Sequence, residues 1–248
     1  MNDMRSRRPG RPLPRAAAFC LVLALGIPLF AASKTKQLPP AYKKWLEEEV
    51  VWIISKTERE VFLDLKSDAE RDRFMQAFWD ARDPTPGPPQ NEYKEEHYRR
   101  IEYANAKFEE GTGPGWKTDR GRIYIQLGPP GQIYDWLNDY QLYPVVMWFY
   151  SGRTRPGVPN SFYLLFWQRE GIGGFRLYSP YNDGPEKLVH ATYGGTKQSY
   201  EYIRSISSEL AHTTLTYDPH EPVDTEQFSP SMTSDLIVAS ITRLPEEA

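Results

Sequence analysis

Apolar side chains recur at helical spacing through the first half of the chain and at alternate positions through much of the second. A helix is expected over 41–54, with Trp45, Val50 and Ile53 among its apolar positions. Thr57-Glu58-Arg59-Glu60 and Ser67-Asp68-Ala69-Glu70 have capping-box spacing, in which a hydroxyl takes an unpaired amide and a glutamate reaches back. The second box opens a helix whose Phe74, Met75, Phe78 and Trp79 recur at helical spacing. Asp83-Pro84 stops it, and Thr85 to Gln90, with three further prolines and a glycine, reads as a stiff loop. A longer helix follows from about Asn91 to Glu110, with Tyr93, His97, Ile101, Ala104 and Phe108 on one face. Gly111 to Gly115 ends it.

From there the period changes to two. Ile123, Ile125 and Leu127 alternate with Arg122, Tyr124 and Gln126, which predicts a strand. Val145–Tyr150 and Phe162–Gln168 read as further strands, and Phe175–Tyr178 follows the tight turn Gly171-Ile172-Gly173-Gly174. Short connections between such runs favour antiparallel neighbours. Both faces of the middle strands are apolar or aromatic, so helices should cover one side of the sheet and partly shield the other. Residues 197–211 read as helical through Tyr200, Ile203 and Leu210, while 234–243 fit either type. The expected fold class is α+β, a helical N-terminal half packed on an antiparallel β-sheet. Its expected divisions are a leader at 1–33, a linker at 34–40, one domain at 41–211 and a tail at 212–248 of open character.

The 248 residues give room for one ordinary domain with ample apolar material. Charge changes the picture at the N-terminus. Arg5, Arg7, Arg8, Arg11 and Arg15 precede the apolar run Ala16 to Ile27, which Pro28 breaks, and small residues follow at Ala31-Ala32-Ser33. That order is the pattern of a secretory signal peptide, and a run of about 12 residues is shorter than a membrane span. Leu29 and Phe30 extend the apolar character past Pro28, so an uncleaved inner-membrane anchor stands as the alternative. Five of the 30 basic and one of the 33 acidic residues lie in 1–33, so the remainder carries a formal charge of −7. An acidic body argues against general nucleic-acid binding and against adsorption to anionic lipid. Cys20, within the apolar run, is the single cysteine, which removes disulfides, thiolate metal sites and a cysteine nucleophile from the body.

Gly115-Trp116-Lys117-Thr118-Asp119 matches the motif G-W-x-T-D, continued by Arg120-Gly121-Arg122-Ile123-Tyr124-Ile125 and Gly128-Pro129-Pro130. Upstream stand Phe78-Trp79-Asp80-Ala81-Arg82-Asp83-Pro84, Asn91-Glu92, and a helix carrying Glu96-His97 and Asn105. Over roughly residues 42–178 the chain resembles the GWxTD domain family. The resemblance implies an envelope or secreted bacterial domain of acidobacterial type, without an assigned activity.

Read from its residues, the motif admits two roles. As a clasp, Gly115 and Gly121 permit backbone conformations that other residues resist, and Thr118 or Asp119 bonds turn amides. Trp116 then buries its ring at the helix-to-sheet junction, and Arg82 and Asp83 bridge to Asp119 and Arg120. As a recognition surface, Trp116, Thr118, Asp119, Arg120, Arg82 and Asp83 form the floor of a groove for a partner. Sharper chemistry finds little support. Gly111 to Thr118 resembles a phosphate loop, but Trp116 separates glycine from Lys117, and the flanking elements are in the wrong order. Glu96-His97 lacks the preceding histidine of an H-x-x-E-H helix, because Tyr93 occupies that place, and His97 on the apolar stripe reads as a bonded core histidine. His190, His212 and His220 lack ligand spacing, and Asn182-Asp183-Gly184 reads as a turn. The chain thus reads as an exported, non-catalytic domain, periplasmic or secreted, that binds another protein, such as a second envelope protein, or an envelope component. No cofactor or metal is expected, and the membrane is reached only through an uncleaved N-terminus. The competing class is a hydrolase built on an Asp/Arg cluster, which would pair carboxylates among Asp80, Asp83 and Asp119.

Overall fold

The computed structural model describes residues 37–242, apart from 86, 88, 89, 111, 112, 153–156 and 191–193. The leader at 1–33, most of the linker, and parts of the proline loop and of the Gly111–Gly115 stretch lie outside the described residues.

Pro39 and Pro40 open α1 (Pro40–Lys44), which continues as one wide π turn over Trp45–Glu49. Helix α2 (Lys56–Asp64) begins at a capping box made by Ser55 and Glu58, so the expected box at Thr57 is displaced by two residues. Both spacings contain a hydroxyl three positions before a glutamate, and the one that opens the helix is the one preceding it. The box at Ser67 and Glu70 forms as expected and opens α3 (Asp68–Asp80). Asn91 caps α4 (Glu92–Lys107) through its side chain, which accepts from the Lys94 amide.

The expected strand at Arg122–Leu127 is helical. Thr118 caps α5 (Asp119–Leu127), its Oγ1 accepting from the Gly121 amide at 3.0 Å, and Gly128 at φ 79° ends it. Gly121, Ile123, Ile125 and Leu127 are buried and the residues between them half-buried. The helix runs through the middle of the molecule, so neighbours on several sides blur the one-sided stripe that normally marks a helix.

Four strands follow: β1 (Gln132–Trp136), β2 (Val145–Ser151), β3 (Ser161–Trp167) and β4 (Arg176–Leu177), in the order β1-β2-β3-β4 with every pair antiparallel. Val146, Trp148 and Tyr150 stand opposite Phe166, Leu164 and Phe162. This face meets α4 and α5, with the Trp148 ring 5.5 Å from Phe108 and 6.4 Å from Tyr124. Thr213, at the end of α7 (Ser208–Thr213), reaches Met147 on the other face, and α6 (Thr196–Ile206) packs beside it. Ser207 breaks the expected 197–211 helix into these two and caps the second.

The described residues after 211 join the core. Tyr163 on β3 donates its amide to the Tyr217 carbonyl, extending the short β4 edge. Leu215, Tyr217 and, on α8 (Met232–Thr242), Ile237 and Ile241 are buried. Two cores result. The sheet, α5 and the C-terminal helices form the larger one; Trp45, Leu46, Val50, Ile53, Ile54, Phe62, Leu63, Phe78 and Trp79 form the smaller. The fold is α+β.

Candidate functional site

The motif segment links the two cores. Pro114 leads into one 3₁₀ turn, Gly115–Lys117, and Thr118 donates to the Gly115 carbonyl at 2.8 Å while capping α5. Trp116 is buried at 7 % exposure. Its amide donates to Asn105 Oδ1 on α4, and its carbonyl accepts from the Trp52 indole, both at 3.0 Å. Gln126 on α5 donates to the Trp52 carbonyl at 3.1 Å, so α4, α5 and the smaller core meet around one Trp52–Trp116 pair.

Both motif glycines answer to close packing. Their φ values lie outside the left-handed region, but a Cβ on Gly115 would sit 1.9 Å from the Ala104 carbonyl oxygen, and one on Gly121 would sit 1.9 Å from that of Gly115. The expectation of unusual backbone conformations is corrected accordingly: the glycines let α4, the 3₁₀ turn and α5 pack backbone to backbone.

Asp119 reaches the sheet. Its Oδ2 accepts from the Leu177 amide at 2.9 Å, and its Oδ1 lies 3.4 Å from Arg122. Arg120 is ion-paired to Glu110, whose second oxygen accepts from the Phe175 amide. The Arg120 guanidinium also lies 5.1 Å from the Phe108 ring centre and 4.2 Å from that of Phe175, a stacking geometry suited to arginine. Burial lowers its pKa to about 10, still protonated at neutral pH.

Arg82 and Asp83 do not join them. Arg82 pairs with Glu58 at 2.8 Å, lies over the Phe78 ring at 3.6 Å, and donates to the Phe78 carbonyl. Asp83 accepts from the Thr85 amide. Both therefore serve α2, α3 and the loop after it, and the expected bridge to Asp119 and Arg120 does not form. Their nearness in the sequence reading came from shared charge, whereas the helix ends that carry them lie in different cores. Of the three carboxylates considered for a pair, Asp80 accepts from Gln76 on its own helix and stands beside Asp83, whereas Asp119 is bonded to β4.

His97 is a bonded core residue, its Nε2 2.7 Å from the Glu49 carbonyl oxygen and its ring beside Trp79. Among the described residues no group of three or more His, Cys, Asp or Glu side chains is arranged to hold a metal ion, and no helix is long and apolar enough to cross a membrane.

What the sequence reading missed is a cleft of about 260 Å³ beside the motif. Tyr103, Phe108, Tyr124, Ile133, Leu137 and Trp148 are among the residues that line it, with Arg120 and Asp135 as charged groups. Tyr103 and Tyr124 stack at 4.5 Å with planes 12° apart. Ile133 remains 57 % exposed, Leu137 45 % and Tyr103 41 %. The edge strand β1 borders this cleft, and no strand pairs with its outer edge among the described residues. Ile133 and Tyr103 carry no motif; only the register that puts Ile133 opposite Trp148 brings them together.

The architecture defines a class: an α+β domain in which a four-stranded antiparallel meander is joined to α4, α5 and the smaller core by a Gly-Trp-x-Thr-Asp turn. The GWxTD domain profile matches residues 31–164, more than half of the chain, and the protein belongs to the GWxTD domain family. Comparisons with curated proteins and with solved structures found no match.

Proposed function

We propose that the protein is an exported, non-catalytic binding domain whose ligand is an extended polypeptide of the cell envelope. The peptide adds a strand to the outer edge of β1 and seats an apolar or aromatic side chain between Tyr103, Tyr124, Ile133 and Leu137. The observation that carries this reading is the conjunction of an unpaired strand edge with a half-exposed aromatic cleft beside it. Edge strands are usually blunted by charge, proline or cover, and main-chain pairing with a side-chain pocket is a recurrent way to hold a peptide. On β1 the side chains of Ile133 and Tyr134 are exposed, and Tyr140 beyond it is 80 % exposed. Arg120, already fixed by Glu110, offers the cleft a positioned cation. Export is supported by the arginine-rich start, the apolar run and the small residues at Ala31-Ala32-Ser33.

The test is selection of displayed random peptides on the purified protein, followed by hydrogen exchange of the complex. Selected peptides should carry an apolar anchor, slow exchange at Gln132–Trp136, and bind at least tenfold more weakly to Ile133→Asp and Leu137→Asp variants that melt like the parent. Peptides that bind without protecting β1, or that bind both variants equally, would overturn the reading.

A further inference from the structure

At the opposite edge of the sheet, Asp119, Trp167, Arg169, Arg176, Leu177, Asp183 and Lys187 line a second cleft, of about 250 Å³. It is built by the end of β3, by β4, and by the turn that follows. Its charge is unbalanced in use. Asp119 is engaged by the Leu177 amide and Arg122, and Asp183 accepts from the Ser179 amide at 2.8 Å. The cations are not engaged to the same degree. Arg169 is 3.9 Å from Glu170, a loose contact between exposed groups, and neither Arg176 nor Lys187 forms an ion pair among the described residues.

Three exposed cations line the hollow against two carboxylates, one of them paired with Arg122, so the lining keeps a net positive charge that a partner bearing several oxygens on one centre would meet, giving arginine a planar, two-bond match. The two carboxylates are held in place by the Leu177 and Ser179 amides, while Arg176 and Lys187 carry no ion pair among the described residues. We infer that this cleft is a binding site for a small multivalent oxyanion, the phosphoryl or polycarboxylate group of a soluble ligand. The hollow is large enough for such a group with a few attached carbons. The site lies on β3 and β4 and the strand-edge reading concerns β1, so either can fail without the other.

Amide NMR titration of the purified protein with inorganic phosphate and, separately, with citrate tests it. The expected result is saturable movement of the Arg176, Leu177 and Lys187 amides with at least one of the two anions. Phosphate alone marks a phosphoryl ligand, and citrate alone a carboxylate one. Added NaCl at about 0.5 M should weaken the binding, as screening requires for exposed charges. An Arg176→Ala, Lys187→Ala variant and an independent Arg169→Ala, Lys187→Ala variant should each lose at least tenfold in affinity with melting temperature preserved. A Lys94→Ala, Arg99→Ala control, in the charged hollow along α4, should bind like the parent. Shifts that never saturate with either anion, or equal losses in the control, would overturn the inference.

Discussion

At the scale of single side chains, surroundings decide chemistry that residue type leaves open, and His97 is the clearest case. It is 3 % exposed, and burial pushes its pKa from 6.5 down to about 4, with Arg100 and Arg82 adding to the shift and the Glu49 carbonyl opposing it. The folded protein thus keeps a neutral ring while the unfolded chain takes up a proton below about pH 6.5. A folded pKa below the unfolded one means that this contribution is complete above pH 6.5 and is lost as pH falls toward 4. The loss approaches about 3 kcal/mol at the acid end of that window. His97→Gln keeps a donor for the Glu49 carbonyl and does not titrate. Urea unfolding at about pH 7.5 and about pH 5 should show a smaller drop in the variant than in the parent. Equal drops would assign the acid sensitivity to other groups. Tyr178 and Tyr217, wholly buried, have their phenol pKa values raised far above 10 by desolvation, and remain neutral donors across this range.

At the scale of elements, α5 decides how the motif works. Its apolar residues alternate and include two isoleucines, which favours a strand on local preference. The Thr118 cap, the adjacent Asp119 in the first turn, and burial on several sides outweigh that preference. Gly121, which costs a helix about 1 kcal/mol relative to alanine, is kept because α5 starts against the Gly115 carbonyl. Gly121→Ala therefore should not bring the usual gain of a glycine-to-alanine change inside a helix. A destabilisation of about 3 kcal/mol or more is expected, read as a lowered urea midpoint with unchanged slope. A neutral or stabilising result would show that the two segments can separate at little cost. The same packing explains why the motif's hydroxyl and carboxylate face inward: Thr118 holds the turn and Asp119 holds β4.

At the scale of the whole molecule, the two cores meet along α4 and around Trp52. The Trp52 ring packs with the sheet core while Ile53 and Ile54 beside it belong to the smaller cluster. Its indole bonds the Trp116 carbonyl, and Arg122 lies 5.6 Å from its ring centre. Trp52→Ala should loosen the smaller core first, since that core depends on fewer buried residues. Hydrogen exchange should then quicken in α2 and α3 while amides of β2 and β3 keep their protection. Uniform loss across both would mean that the protein opens as one unit.

Much of the architecture was legible along the chain. The helices at 68–80 and 92–107 announce themselves through caps and apolar spacing, and the strands at 145–151 and 161–167 through short continuous apolar and aromatic runs, because those signals arise from neighbours in sequence. The motif at 115–119 marked the junction, and its threonine and aspartate do bond backbone amides. Other features depended on partners remote in sequence. Arg82 and Asp83 turned inward to the smaller core, Glu110 rather than Asp83 became the partner of Arg120, and residues beyond 211 completed the sheet edge. The cleft beside β1 had no signal at all, since Tyr103, Tyr124 and Ile133 belong to three elements that meet only after folding. Periodicity and capping, which act over a few residues, were determined by the sequence itself; the helical state of α5, the pairing of charges and both clefts were decided by tertiary packing, because burial from several sides outweighs local preference and brings distant residues within reach.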